Sequence, residues 1–183
     1  MGRCAVRWRS GGSRVVLTRL FVAVFPPSSA VEPLRACLPA GAKLTRPSQW
    51  HVTLVFLGEA QPDEVAAALD TVPAQEPFSL RLAGGGRFGT AAWAGVSGDV
   101  AALGALQVNV RNVLGRNDRP YRPHLTVSYR NDREVQAALA GFAGDEWIVD
   151  EFALVNSHDG KYETLRTWPL RPPAGRGPSR ASG

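Results

Sequence analysis

Apolar residues follow two spacings along this chain, and the spacings predict strands and helices in turn. Alternating or uninterrupted apolar runs predict seven strands, at 19–25, 49–57, 78–82, 91–96, 123–129, 147–156 and 162–168. Apolar residues at helical spacing predict four helices, which begin near Ser28, Asp63, Val100 and Asp132. The 183 residues suffice for one domain with a core or for a compact two-lobed unit.

Two short polar segments are predicted to be turns between these strands. Gly84-Gly85-Gly86 lies between the strands at 78–82 and 91–96, and His158-Asp159-Gly160 lies between the last two strands. Glycine, aspartate and asparagine favour the backbone conformations that tight turns require. The glycine run has neither the lysine nor the following helix pattern of a phosphate-binding loop, so a hairpin turn is the prediction.

The order strand, helix, strand, helix occurs twice. Leu20 precedes His51 by 31 residues, and Trp93 precedes His124 by the same 31 residues. A duplicated layout of this kind predicts two halves related by a pseudo-two-fold axis. The second strands of the two units would then face each other across one cleft.

Those second strands carry the same motif, His51-Val-Thr53-Leu and His124-Leu-Thr126-Val. The chain has only three histidines, and two of them have a threonine two residues later. Side chains at i and i+2 of a strand point to the same face. Each motif therefore places an imidazole and a hydroxyl side by side on a sheet face.

Two imidazoles across a cleft suit the cleavage of a phosphodiester without a metal ion. A neutral histidine can take a proton from water while a protonated one gives a proton to the leaving oxygen, because the ordinary pKa of about 6.5 allows both forms near neutral pH. Thr53 and Thr126 can donate hydrogen bonds to the phosphate oxygens, where negative charge builds up. A metal site and a pair of purely structural histidines are the alternatives, although two histidines without nearby Cys, Asp or Glu form a poor ligand set.

Charge and cysteine content add to this picture. The formal charge is +5, with 21 Lys and Arg against 16 Asp and Glu, and only two of the basic residues are lysines. Arginine suits bidentate contacts to phosphate, so the charge agrees with a phosphate or nucleic-acid ligand. Two cysteines are too few for a disulfide framework, and no stretch is long enough to span a membrane, which leads us to expect a cytoplasmic protein.

The motifs and their flanks resemble the two-histidine phosphoesterase superfamily. The resemblance rests on Trp50-His51-Val-Thr53-Leu-Val-Phe56-Leu-Gly58 and on Arg122-Pro123-His124-Leu-Thr126-Val. Within the superfamily, these segments are similar to the RNA 2′,3′-cyclic phosphodiesterases, which are also called 2′-5′ RNA ligases. The resemblance extends over 18–170, which we take as the domain. The arginine-rich start, 1–17, and the Pro/Gly/Ser/Arg-rich end, 171–183, are expected to be disordered.

The resemblance implies an α+β, bilobal, duplicated fold in which two antiparallel sheets with outer helices surround a central groove. It implies hydrolysis of a terminal 2′,3′-cyclic phosphate of RNA to a 2′-phosphate, with His51 as the proton donor and His124 as the proton acceptor. Phe56 and Tyr121 are candidates for stacking on a base. No cofactor and no metal are expected, and a monomer is the default.

One position departs from the family pattern. Family members usually carry an arginine five residues after the second histidine, near the phosphate, whereas this chain has Tyr129 there and Arg130 one residue later. A shift of one residue turns a strand side chain to the opposite face. Either a bulge re-aims Arg130, or Arg122 or another group neutralises the phosphate.

Three alternative functions remain open from the sequence. The same site could hydrolyse a small cyclic nucleotide, or it could join RNA fragments through a 2′-5′ bond. A non-catalytic RNA-binding module would retain the groove without turnover. In each case the partners expected are RNA 3′ ends or small cyclic phosphates.

Overall fold

The structure, a computed structural model, describes residues 17–116 and 120–173. The predicted disordered extension and tail lie outside these residues, apart from Leu17 and 171–173. The described chain forms strands β1 (Thr18–Val24), β2 (Val52–Ala60), β3 (Phe78–Phe88), β4 (Ala91–Gly98), β5 (His124–Ser128), β6 (Ala143–Val149), β7 (Glu151–His158) and β8 (Lys161–Pro169). Its helices are α1 (Ser28–Cys37), α2 (Pro62–Leu69), α3 (Val100–Val113) and α4 (Arg133–Ala140), and a 3-10 turn covers Pro47–Gln49.

The strands form one continuous antiparallel sheet in the order β6-β3-β4-β5-β2-β1-β7-β8. Its first half, β2-β1-β7-β8, and its second half, β6-β3-β4-β5, meet where β2 lies beside β5, with Val52 opposite Leu125 as the registered pair. The predicted α+β class is confirmed. The two predicted sheets are the two halves of this single sheet, because β2 and β5 are themselves hydrogen-bonded neighbours.

The sheet must be strongly curled. Six strand spacings separate β6 from β7 in the sheet order, which would be about 29 Å in a flat sheet at about 4.8 Å per spacing. Along the chain, however, only Asp150 separates β6 from β7. One residue spans less than about 4 Å. The far edge of the second half therefore comes back beside the first half, and the sheet wraps around its concave face.

The helices cover the other face and connect the two halves. Helix α1 follows β1 of the first half but packs on β3 and β6 of the second, and α3 follows β4 of the second half but contacts β2 of the first. The main core lies between the helices and the sheet, with side chains such as Leu34, Leu106 and Leu125 fully buried. On β1 the residues alternate between this core and a smaller cluster of Phe21, Ala23, Ala153 and Val155 on the concave face.

Local capping explains where two of the helices begin. The carboxylate of Asp99 accepts a hydrogen bond from the Ala102 amide at the start of α3. Asp132 accepts from the amides of Glu134 and Val135 at the start of α4. Aspartate is among the preferred N-cap residues, because its carboxylate satisfies amides that have no partner within the helix.

The glycine run is part of strand β3, so its prediction as a turn was wrong. The turn comes later, at Gly89 and Thr90. If Gly85 had a side chain, its Cβ would lie 2.6 Å from the Cβ of Leu139 on α4 and 2.7 Å from the carbonyl oxygen of Trp93. Gly85 is therefore needed for a close approach of β3 to its neighbours, which is the other common use of glycine in strands.

The predicted strand at 147–156 is two strands. It breaks at Asp150, so that β6 pairs with β3 and β7 pairs with β1 and β8. Neither glycine nor proline marks the break, and the run is apolar on both sides of it. The break is imposed by the curl of the sheet rather than by the local sequence.

None of the helices among the described residues is both long and apolar enough to cross a membrane.

Candidate active site

A groove with a volume of about 620 Å³ lies on the concave face of the sheet. Both halves contribute to its wall. His51 directly precedes β2 and Thr53 lies on that strand, whereas His124 and Thr126 come from β5. The structure thus brings together the four residues of the repeated motif.

His51 is held from several sides. Its Nδ1 lies 2.7 Å from the carbonyl oxygen of Gln49, and its Nε2 lies 3.1 Å from the hydroxyl of Thr53. Its ring stacks on Phe21, with centroids 4.7 Å apart, and meets the edge of Tyr162 at 5.4 Å. These contacts fix the ring plane, so that the imidazole has one orientation in the groove.

His124 has the equivalent contact in the other half. Its Nδ1 lies 2.7 Å from the carbonyl oxygen of Arg122, again two residues earlier in the chain. Phe88 meets the ring edge-on at 5.1 Å, and Trp93 lies 6.0 Å away. Each histidine is therefore oriented by a backbone carbonyl and by aromatic neighbours from its own half.

The carbonyl contact also determines the tautomer. A carbonyl oxygen only accepts, so Nδ1 must carry the proton in both rings. In the neutral form Nε2 then has a lone pair that can accept a proton, which in His51 faces the Thr53 hydroxyl, and in the charged form Nε2 has a proton to donate. Both histidines can thus act through Nε2, as acid or as base.

The pKa of His51 is lowered from the ordinary value of a histidine. Burial is the main cause, because it disfavours the charged ring; the Gln49 carbonyl opposes it, and the positive charge of His124 adds to it. An anion in the groove would act in the opposite direction, since a nearby negative charge favours the protonated imidazole.

Two matching bulges turn further side chains into the groove. The pairing of β2 with β1 shifts at Leu54, three residues after His51, and the pairing of β5 with β4 shifts at Val127, three residues after His124. Each extra residue reverses the facing of the side chains after it. As a result, the residue five positions after each histidine lines the groove, and these residues are Phe56 and Tyr129.

Residues 23–161 match the family described as the 2′-5′ RNA ligase superfamily. The chain belongs to this superfamily. An RNA 2′,3′-cyclic phosphodiesterase of Thermus thermophilus is 33% identical over 192 residues, which cover 90% of this chain and 96% of that protein. The family predicted from the two motifs is thereby confirmed.

Solved structures have the same fold. LigT of E. coli without ligand has a TM-score of 0.69 to this chain at 27% identity, covering 84% of this chain and 98% of LigT. LigT complexed with phosphate has a TM-score of 0.67 at 25% identity, with the same coverage. The similarity extends over nearly the whole of the described domain.

Three residues that the sequence predicts for the site lie outside the groove lining. Arg130 lines a separate surface pocket together with Lys43 and Arg133. Arg122 is exposed and contributes its carbonyl to His124. Tyr121 packs against the main core, and its burial raises the pKa of the phenol.

The segment 44–49, which forms part of the groove wall, was not predicted from the sequence. Arg46 and Gln49 lie in the lining, and Gln49 also donates a hydrogen bond to the Gly160 carbonyl at 2.8 Å. The Thr45 hydroxyl lies 3.1 Å from a carbonyl oxygen of β5, that of Thr126. The apolar residues of this segment follow neither strand nor helix spacing. The one signal in the sequence is Arg46, a basic residue five positions before His51.

The described residues contain no group of three or more His, Cys, Asp or Glu side chains that could hold a metal ion. The third histidine, His158, is exposed at the end of β7 and pairs with Asp159 at 3.0 Å. The polar groups of the groove include imidazoles, hydroxyls, an amide and a guanidinium.

Proposed function

We propose that this protein is an enzyme that hydrolyses the 2′,3′-cyclic phosphate at RNA 3′ ends to a 2′-phosphomonoester. The observation that carries the proposal is the pair of imidazoles that line one groove in the same tautomer, with Nε2 on the side opposite the backbone carbonyl and, in His51, beside the Thr53 hydroxyl. Membership of the 2′-5′ RNA ligase superfamily supports it, as does the name of the Thermus relative.

In the proposed step, water attacks the phosphorus and the bond from phosphorus to the 3′ oxygen breaks. Nε2 of His124 takes a proton from the attacking water, and Nε2 of His51 gives its proton to the departing 3′ oxygen. The product is a 2′-phosphate beside a free 3′ hydroxyl. His124 is left protonated and His51 neutral, and exchange with solvent restores the starting state. General acid and base groups of this type each contribute about 10²–10⁴-fold.

His51 has to be protonated at the start of this step, although burial lowers its pKa in the free protein. The negative charge of the bound phosphate compensates for that burial, because it favours the imidazolium. Substrate binding would thus favour the protonated form of His51. The assignment of His51 as the acid and His124 as the base follows the family pattern, since the two rings have matching hydrogen bonds to backbone carbonyls.

The two threonines and Phe56 complete the proposed substrate site. Thr53 and Thr126 would donate hydrogen bonds to the nonbridging phosphate oxygens as their charge increases. Phe56 is 60% exposed and lines the groove, so its ring is open for a nucleobase to stack on it. No step requires a metal ion or a cofactor.

Ligation of RNA through a 2′-5′ bond is the second candidate, since the description of the family names it. It would use the same pair in the same roles, because the 5′ hydroxyl of a second RNA end would replace the attacking water while the bond from phosphorus to the 3′ oxygen breaks as before. A 5′-hydroxyl oligonucleotide added to the assay would distinguish the two. Joined product in excess of hydrolysed end would favour ligation.

The proposal is tested with an RNA oligonucleotide that ends in a 2′,3′-cyclic phosphate, incubated with the protein and a chelator. We expect a 2′-phosphate end, identified by mass spectrometry and by its migration against synthetic 2′- and 3′-phosphate standards. The protein with His124→Ala serves as the control and should leave the end cyclic. A 3′-phosphate product, or turnover that stops with chelator, would contradict the mechanism.

A further inference from the structure

The proposed reaction places an anion in the groove, yet Tyr129 occupies the position five residues after His124 where the family pattern has an arginine. Because of the bulge at Val127, Tyr129 takes the groove-facing position and Arg130 turns away into a different pocket. A cyclic phosphate diester carries one negative charge, and the attacking water adds a second in the transition state. A permanent cation close to the phosphate would stabilise that charge.

Arg46 is the one Lys or Arg in the groove lining among the described residues, and no Asp or Glu of that part of the chain lines the groove. The ion pairs of the described residues join other side chains, so no carboxylate there neutralises the Arg46 guanidinium. Its side chain is exposed at the groove opening. A guanidinium in this setting is available for a phosphate, which it can contact with two parallel hydrogen bonds.

The segment that carries Arg46 is fixed at both ends. On one side, the Thr45 amide donates to the Val127 carbonyl at 2.8 Å, and the Thr45 hydroxyl lies 3.1 Å from the Thr126 carbonyl. On the other side, Pro47 begins the 3-10 turn that ends at Gln49, whose carbonyl holds His51. Arg46 is thereby held between the strand of His124 and the imidazole of His51.

We propose that Arg46 binds the nonbridging oxygens of the phosphate and has the role of the arginine that family members usually carry five residues after the second histidine. This inference rests on the proposed function, since it assigns a charge to the same site. The ligand that the segment 44–49 would contact is then a phosphate anion. Arg46 would contribute to binding and to the transition state, while proton transfer remains with the two histidines.

The test compares Arg46→Gln and Arg46→Lys with Arg130→Gln as the matched control. Arg46→Gln should lower kcat/KM for the cyclic-phosphate RNA by about 10- to 100-fold, as expected for the loss of charged hydrogen bonds. Arg46→Lys should retain part of the activity, because it keeps the charge but loses the bidentate geometry. Arg130→Gln should stay within about twofold of the unchanged protein.

Inorganic phosphate, titrated by calorimetry or by the ring resonances of His51, gives a readout that does not depend on turnover. Arg46→Gln should weaken phosphate binding by at least about tenfold and reduce its dependence on salt. Equal affinities for Arg46→Gln and the unchanged protein would overturn the inference, as would a larger loss in Arg130→Gln. If the unchanged protein binds phosphate but turns over no RNA, the proposed function fails while the phosphate comparison still decides the role of Arg46.

Discussion

Each motif histidine donates its Nδ1 proton to a carbonyl two residues earlier in the chain, Gln49 for His51 and Arg122 for His124. This contact requires no distant partner, because the residues directly before each histidine bring the carbonyl to the ring. The tautomer is thus built into the motif itself. The two histidines differ in their surroundings, since His51 lies among Phe21, Phe25 and Tyr162.

That difference leads to a prediction about the titration of His51. Burial and the nearby charge of His124 lower its pKa, so the midpoint in the free protein should lie below about 6.5. Inorganic phosphate should move the midpoint to higher pH, and His124→Ala should do the same because it removes a positive charge. The Hε1 resonance followed against pH, with and without phosphate, measures both shifts.

The same pKa shift has a consequence for stability, with a definite sign. Between the two pKa values the unfolded chain binds more protons at His51 than the folded chain does. The contribution of His51 to the free energy of unfolding is therefore lost as the pH falls below about 6.5, the unfolded value. A midpoint above 6.5 in the free protein would contradict this account of the site.

The exposed ring of Phe56 leads to a second prediction about a single residue. Phe56→Ala should lower kcat/KM for RNA by about tenfold or more, because base stacking on an aromatic ring contributes about 1–3 kcal/mol. Stability should change little, since the ring is 60% exposed. Ile148→Ala is the matched control, because Ile148 is 61% exposed and lies outside the groove lining. An equal loss in both variants would argue against stacking.

The motif residues could be predicted from the sequence, but Phe56 and Tyr129 show the limit of strand alternation. Counted without a bulge, the fifth residue after a histidine faces away from it. The register shifts at Leu54 and Val127 bring both residues back to the groove face. A bulge depends on the pairing with the neighbouring strand, which the sequence of one strand does not reveal.

At the scale of elements, strand β3 depends on glycines that allow close packing. Gly85→Ala should lower the free energy of unfolding by about 1–3 kcal/mol, because the new Cβ would overlap Leu139 and the Trp93 carbonyl. Gly104→Ala is the control within helix α3, where a Cβ meets nothing within 4 Å. It should raise the free energy of unfolding by about 0.5–1 kcal/mol, as alanine is the better helix former.

Chemical denaturation of both variants measures these opposite changes. If Gly85→Ala were as stable as the unchanged protein, the glycine run would not be needed for packing. The four helices could be predicted from the sequence, as could the strands except for the division of 147–156 into β6 and β7 and the full extent of β3. The turn after β3 was misplaced because glycine favours turns and close contacts alike, and only the position of α4 decides between them.

At the scale of the whole molecule, the two halves meet at a narrow seam between β2 and β5. Thr45 reinforces this seam: its hydroxyl accepts from Trp50 Nε1 at 2.8 Å and lies 3.1 Å from the carbonyls of Thr126 and Val127. Trp50, which directly precedes His51, is only 2% exposed. The network therefore couples the first motif to the strand that carries the second.

Thr45→Val should break this network with little change in shape. It leaves the buried Trp50 N–H without a partner, which costs about 1–3 kcal/mol of stability. It should also lower kcat/KM, because Arg46 and His51 are adjacent to the lost contacts. Thr71→Val, which removes an exposed hydroxyl from the end of α2, should change stability by about 0.5 kcal/mol or less. Equal stability of the two variants, measured by denaturation, would exclude this role of Thr45.

The duplicated layout was visible in the sequence, since the spacing between the first strand and the motif is the same in both units. The continuity of the sheet was not visible. It follows from the curl that lets Asp150 connect β6 to β7, and curl is a property of all eight strands together. The two motifs line one groove because β2 and β5, the strands that carry them, are neighbours in that sheet.

The central claim, that His51 and His124 act as one acid–base pair, is tested most directly by the rates of the two single variants and the double variant. Turnover of cyclic-phosphate RNA would be measured for His51→Ala, His124→Ala and both together. We predict that each single change removes most of the activity and that the double change costs little more, because the two residues act as a unit. Losses that multiply in the double variant, or a single variant that retains most of its turnover, would contradict the account.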